Sequence, residues 1–497
     1  MALAFRSPHP VRGGPNTWAR TEEISRLERK FRPALTAAAQ PIIPSDAIFA
    51  ALNDTDVSQI EEGAVPNVAE CAVHLEFLEA VFMILKQKIL TSNALDRAFD
   101  IVPQDTLQTV SRTRTRKPDP TFRKRQEIKW PIYIRLAAAR FTLWWKALPE
   151  IIPKSPGVRH AQLTLDTLPP IDVLMVWHSF LLHPVQYKKF CKSTGYPEHF
   201  QLQFPWKDIH VCLTRHQSIP EQMLPQSNIS LSDLSEIPKK TYSFDLSAKA
   251  AAIFTQQVGV PDLFLALATH SNHSTTTKTV LRRLVSSAGA SPESPPSLSI
   301  PEILPATFKL FEWASIIELV GHVERQNLFA QKMGDRLWIR SPALEGTLSR
   351  AIVRYDRFMT LFKAHPKTLL VPTLDIDLIW HTAQCSPKKY EEQCLRLVRR
   401  IINHNDALGQ VTLKDGFKET KRIYESRFTE EYDPCLCWEC EGLRSGLDSV
   451  GNKETGIAEL VKKVADDVEF HKAVELARRS KKMLPVREGG VNLIKLN

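Results

Sequence analysis

The chain has 497 residues, room for about two to four domains that each bury a core, and its 43% apolar and 24% charged content is ordinary for a globular protein. No apolar run approaches the roughly 18 residues needed to cross a bilayer, and the first 21 residues carry Arg6, Arg12 and Arg20 but no apolar stretch of a secretory leader. Eight cysteines without an export signal exclude a disulfide framework and point to thiols or metal ligands in a reducing compartment.

Residues 1–60 mix Pro, Gly and charge with one helical candidate, Glu22–Phe31, and read as a partly ordered arm. From Val68 to Leu90 apolar residues recur at three- and four-residue steps, the pattern of one packed helix. Most of the net charge of +10 sits between Arg112 and Lys129, where eight basic residues stand against two acids. Pro118 and Pro120 keep the centre of this run out of a helix, and it reads as a solvated loop. Its phosphate-binding reading would use Arg112, Arg114, Arg116, Lys117, Arg123, Lys124 and Arg125. A second strong helix covers 132–148.

The next segment announces a duplication. LPPIDVLMVWHSFLLHPVQYKKFC near 170 returns as LVPTLDIDLIWHTAQCSPKKYEEQC near 373. At an offset of 203 residues Pro169, Asp172, Trp177, His178, Pro184, Tyr187 and Cys191 match Pro372, Asp375, Trp380, His381, Pro387, Tyr390 and Cys394. Each copy reads as a short helix, a tight corner and a second helix opened by proline, with Ser386 as an N-cap and the Asp favouring the positive helix end. Arg140-Phe141 and Arg354-Tyr355 extend the match to the preceding helix. Residues 215–300 are the least periodic, and 290–305 is a Pro/Ser-rich linker by composition. Helices are expected over 311–326, 348–362, 415–428 and 457–482, with a turn at 402–410.

The copies differ where chemistry would sit. Asp377 and His381 are four residues apart and share a helix face, so the carboxylate can accept one imidazole N–H and leave the other nitrogen for a metal or a proton. The first copy has Leu174 at that position. His178 therefore reads as a core residue. Cys435, Cys437 and Cys440 place three soft ligands within six residues, and a tetrahedral ion would need a fourth from His404, Cys394, Cys385 or His381. No phosphate-cradling, dinucleotide, H-E-x-x-H or G-x-S-x-G signature occurs.

VPTLDIDLIWHTAQCSPKKY (371–390), IDVLMVWH (171–178), NHND (403–406) and CLCWECE (435–441) together resemble the glycine-rich domain-containing protein family, in its fungal branch, over roughly residues 66–445. The resemblance implies no established reaction; plant members are linked to stress and development with suggested RNA association. Ala383 replaces the family's second histidine, and Asn403 and Asn405 stand where carboxylates are usual. If that family site binds metal through those groups, the resemblance implies that this chain either binds it more weakly or uses Cys385 instead. The C-terminal stretch is charged rather than glycine-rich.

The sequence thus predicts a mainly α protein of two related helical halves joined by the Pro/Ser-rich linker. The divisions are an arm (1–60), a first half (61–215), an irregular segment and linker (216–305), a second half (306–445) and a charged helical tail (446–497). The expected function is a non-enzymatic binding, scaffold or regulatory role for unknown protein partners. A structural zinc site is expected from His381, His404, Cys435, Cys437 and Cys440. The alternatives are a metal-dependent enzyme using Asp377 and His381 as catalytic pair, and a nucleic-acid-associated regulator using residues 112–129. The expected location is cytoplasmic, or nuclear if the basic run acts as an import address, with no transmembrane segment.

Overall fold

Apolar residues recurring every three to four positions leave helix as the way to bury a face while satisfying the backbone, and helices dominate the chain. The computed structural model describes residues 21–35, 41–53, 66–110, 113–152, 162–214, 242, 244–269, 313–404, 409–450 and 456–487. Helices α1 (Thr21–Lys30) and α2 (Val68–Leu78) precede α3 (Lys86–Thr91) and α4 (Asn93–Ala98). Strands β1 (Thr106–Val110) and β2 (Thr113–Lys117) form an antiparallel hairpin. Then come α5 (Phe122–Gln126), α6 (Lys129–Ile151), α7 (Ile171–Leu181), α8 (Pro184–Ser193), α9 (Trp206–Thr214), α10 (Ala248–Gln257) and α11 (Leu263–Thr269). The last group is α12 (Trp313–Arg336), α13 (Leu344–Ala364), α14 (Leu374–Gln384), α15 (Pro387–Val398), α16 (Gln410–Phe428), α17 (Trp438–Val450) and α18 (Ile457–Arg479). No helix among the described residues is long and apolar enough to cross a membrane.

The chain divides into two compact units built from interleaved stretches. One comprises Met1–Leu78, Ile209–Ser243 and Phe329–Asn497; the other comprises Glu79–Asp208 and Phe244–Leu328. In the first unit α14 is the centre: all eleven of its residues are buried, and α2, α13 and α15 pack on it. Helix α1 lies on α18 through Leu27, Phe31, Phe470 and Val474, with Lys30 pairing to Asp466 and Glu469 at the rim. In the second unit α7 is buried almost throughout and packs on α6 and α8.

One arrangement occurs in each unit. Arg140 Nε donates to Asp172 Oδ2 at 2.7 Å, and its Nη atoms donate to the carbonyls of Val260 and Pro261. Arg354 Nε donates to Asp375 Oδ2 at 2.6 Å, and its Nη atoms donate to the carbonyls of Glu431 and Tyr432 at 3.1 and 2.7 Å. Both side chains are almost wholly buried. An ion pair out of water is tolerable only when its remaining protons find acceptors, and the two backbone carbonyls supply them. For Asp172, burial outweighs Arg140 and holds the carboxyl above the usual carboxylate range. Burial opposes the charge on Arg354, but Asp375 overrules it and raises the guanidinium pKa further.

The structure departs from the sequence expectations in four places. The run from Val68 to Leu90 is not one uniform α-helix: Glu79–Leu85 is wound as a π segment between α2 and α3. The basic run is a hairpin followed by α5 rather than a loop, its β-branched threonines alternating with arginine along β2. The aperiodic stretch 215–300 contains α10 and α11, which are rich in Ala and Leu and show little polar alternation. Ser386 is the N-cap residue of α15 but its side chain makes no cap bond; Pro387 at the first turn sets the start instead. The linker at 290–305 lies outside the described residues.

Arg354→Met should destabilise the chain by about 3–5 kcal/mol, because it strands the Asp375 carboxylate and two buried carbonyls. Urea denaturation followed by tryptophan fluorescence checks this. Adding Asp375→Asn should recover part of the loss.

Candidate metal centre

Helix α14 presents Asp377 and His381 one turn apart on one face. Its start is fixed by Thr373, whose hydroxyl donates to Asp375 Oδ1 at 2.6 Å while Asp375 holds Arg354. His404 reaches the same face from the stretch after α15. The Trp380 indole N–H donates to Tyr390 Oη at 2.8 Å, and the Tyr390 hydroxyl donates to the Ile402 carbonyl at 2.8 Å. That relay pins the backbone two residues before His404. The Trp380 ring meets the His404 imidazole edge-on, with centroids 5.1 Å apart, and Phe329 covers His381 at 4.4 Å.

Three ligand atoms converge on one point. His381 Nε2 lies 3.1 Å from His404 Nε2, His404 Nε2 lies 3.2 Å from Asp377 Oδ1, and His381 Nε2 lies 3.5 Å from the same oxygen. Donor atoms around a tetrahedral ion bound at about 2.0–2.1 Å stand about 3.3 Å apart, so the triangle has the size of a coordination face. The side chains are 5% exposed for Asp377 and 3% for each histidine. A carboxylate oxygen and two imidazole nitrogens can accept, and facing one another they need a proton or a cation between them. Asp377 meets the nitrogen of His381 that also faces His404. Its oxygen thus lies at the shared point, rather than on the far side of the ring where the sequence expectation put an orienting carboxylate. Lys332 lies in the field of Asp377; burial presses its pKa down, while the carboxylate opposes that shift.

The matching positions in the other unit are Leu174, His178 and Gln201, which carry no such face. The relay itself is present: Trp177 Nε1 donates to Tyr187 Oη at 3.2 Å and the Tyr187 hydroxyl donates to the His199 carbonyl at 3.3 Å. His178 sits instead beside Phe204 and Trp206, at 5.6 and 6.5 Å between ring centroids. Burial alone lowers its pKa to about 3.

Cys435, Cys437 and Cys440 form a second group, their sulfurs all within 4.8 Å of one another and each side chain half-buried. The one joint site expected from the sequence is thus divided between two groups among the described residues. Helix α17, which the sequence reading missed, begins inside the cysteine motif and puts Cys440 in its first turn. Trp338 Nε1 donates to the Leu436 carbonyl at 3.0 Å, Trp438 Nε1 to the Arg336 carbonyl at 2.9 Å, and Arg444 Nη1 to the Cys435 carbonyl at 2.7 Å. Burial opposes the Cys435 thiolate, but the Cys437 N–H, the Cys437 and Cys440 thiols and Arg336 overrule it and hold its pKa below the ordinary thiol value. Burial moves Cys437 and Cys440 the other way. Cys385 and Cys394, the other proposed ligands, are buried thiols outside both groups, and burial raises the pKa of each. Ala383 is buried on α14, Asn403 is exposed, and Asn405 lies outside the described residues.

Of the basic residues, Arg114 and Arg116 stand on β2 opposite Thr109 and Leu107, and Lys117 closes the strand opposite Thr106. Arg123 and Lys124 are exposed on α5, whereas Arg125 is spent on Asp119. Arg112 lies outside the described residues.

Residues 309–393 match the family model described as glycine-rich domain-containing protein-like. The chain is 30% identical over 141 residues to glycine-rich domain-containing protein 1 of Arabidopsis thaliana, covering 27% of this chain and 16% of that protein. It is 23% identical over 323 residues to glycine-rich domain-containing protein 2 of the same plant, covering 63% of this chain and 31% of that protein. The chain thus spans less than a third of either relative. No solved structure matches it.

The depressed pKa of His178 has a pH signature. Unfolded chains take up a proton near the ordinary value of 6.5 that the native residue refuses until about 3. Stability should therefore fall as the pH drops from 6.5 towards 3. His178→Leu should flatten that part of the stability–pH curve, measured by denaturation at successive pH values.

Proposed function

We propose, from the match of residues 309–393 to the glycine-rich domain-containing protein-like family, that the chain is a non-enzymatic helical binding or scaffold protein of that family, one half of which is fastened by a structural metal ion. The convergence of Asp377, His381 and His404 on one buried point carries this reading. Two imidazoles and one carboxylate suit zinc among the common divalent ions. The ion would tie α14 to the segment after α15, which the Tyr390 relay already holds. The near-complete burial of all three side chains favours a structural over a catalytic role, since a substrate would have to displace the covering Phe329 and Trp380 rings. That observation argues against the rival enzyme reading with Asp377 and His381 as acid–base pair.

We also read the two halves as copies of one helical unit. The support is the recurring Arg–Asp pair with its two carbonyls, together with the Trp–Tyr–carbonyl relay at the same 203-residue offset as the sequence motif. In the first half Leu174 and Gln201 make the unit a packing module alone.

Metal analysis of the purified full chain tests the assignment. Of the zinc bound, about one equivalent should depend on Asp377, His381 and His404. His404→Ala should remove that equivalent and lower the melting temperature, whereas His178→Ala should leave the metal content unchanged. Zinc retained in full by the His404 variant would overturn the site. Lys332→Gln, by removing a positive charge that Asp377 feels, should tighten metal binding in a competition titration. For the nucleic-acid alternative, changing Arg112, Arg114 and Arg116 together to Ala should leave affinity for RNA and DNA unaltered in a salt titration.

A further inference from the structure

The chain holds eight cysteines. Five are buried, while Cys435, Cys437 and Cys440 reach solvent and stand within one coordination sphere of one another. Thiolates bound to zinc at about 2.3 Å lie about 3.8 Å apart, compatible with the 4.8 Å within which all three sulfurs fall.

The backbone carrying them is held by groups from outside the motif. The indole of Trp338 takes the Leu436 carbonyl and the Arg444 guanidinium takes the Cys435 carbonyl, so the loop need not reorganise to offer its sulfurs. Cys437 precedes the thirteen-residue helix α17 and Cys440 lies in its first turn, where the helix dipole favours negative charge. Three thiolates around a divalent ion leave one net negative charge. Arg336 faces Cys435 and Arg444 faces Cys440, so that charge is compensated locally.

We propose that Cys435, Cys437 and Cys440 form a second, independent metal site, which binds a thiophilic cation such as Zn2+ through three thiolates and leaves its fourth position open to solvent. It differs from the Asp377–His381–His404 centre in ligand chemistry and in access. Sulfur ligands select soft cations, whereas the buried nitrogen–oxygen set has no such preference. Partial exposure makes the thiolate site exchangeable: the ion enters and leaves without opening the core. The buried centre can release its ion only when the core opens. The chain therefore carries one metal fastened into its fold and one that responds to the surrounding supply.

Loading the reduced full-length chain with Co2+ tests this without depending on the other site. Thiolate ligation gives sulfur-to-cobalt charge-transfer absorption in the near ultraviolet, which nitrogen and oxygen ligands do not produce. The band should be present in the native chain, unchanged in His404→Ala and lost in Cys437→Ser. On addition of a chelator, zinc should leave in a fast phase that Cys437→Ser abolishes and a slow phase that His404→Ala abolishes. Alkylation of the native chain, read by mass spectrometry, guards against a misfolded variant: Zn2+ should protect the peptide bearing the three cysteines at least tenfold in rate. Absence of the charge-transfer band together with unprotected thiols would overturn the site. So would recovery of that peptide as a disulfide that zinc does not prevent from forming.

Discussion

A guanidinium taken out of water must be answered at every N–H it brings with it, and the first unit is organised around that requirement. Arg354 is met by Asp375 at the start of α14 and by two successive carbonyls ahead of the cysteine motif. It therefore joins three stretches of chain that local propensity would leave unrelated. The position of α14 follows from it. Its eleven residues are buried on every side, so the helix has no amphipathic face to orient it, and the ion pair fixes its beginning instead. Asp377 and His381 inherit their places from that start, one and two turns further along. The Tyr390 hydroxyl then brings in the strand of chain that bears His404.

On the proposed duplication, one scaffold with different side chains gives a different electrostatic outcome. With Asp377 and His404 present, His381 points at other lone pairs. With Leu174 and Gln201 in the corresponding places, His178 is enclosed by aromatic rings and its charged form is suppressed. The helix, corner and relay do not by themselves create a polar site; two residues of difference decide whether the interior tolerates a charge.

Much of this was readable from sequence because it is local. The i, i+4 spacing of Asp377 and His381, proline at the start of α8 and α15, and the apolar periods of α6 and α13 each depend on neighbours a few residues away. What escaped reading depends on distant partners. The matching of Arg140 with Arg354 was visible as an Arg–aromatic pair in each half, but its pairing with the motif Asp was not: the Asp looked like a helix-dipole residue, and only burial reveals the ion pair. The separation of the cysteines from His404 was likewise hidden, since the Trp338 and Trp438 anchors that hold the cysteine loop sit about 100 residues from their acceptors. The β hairpin was obscured by its charge, which reads as solvation before it reads as strand. The Leu- and Ala-rich helices α10 and α11 lack the polar alternation that would have announced them.

The two arginine clamps have a consequence for how this architecture tolerates change. Arg140 reaches its Asp across 32 residues and its first carbonyl across 120; Arg354 reaches the same kinds of partner across 21 and 77. The contacts are alike although the connecting lengths differ by tens of residues. Lengthening a loop costs little closure entropy, about 0.6 kcal/mol for each doubling. On the proposed duplication, evolution has been free to lengthen and shorten the intervals while the anchors stayed fixed, much as a text can be expanded between unchanged headings. Divergence in such a chain accumulates as insertions between anchors, which is why an offset constant through the motif breaks down on either side of it.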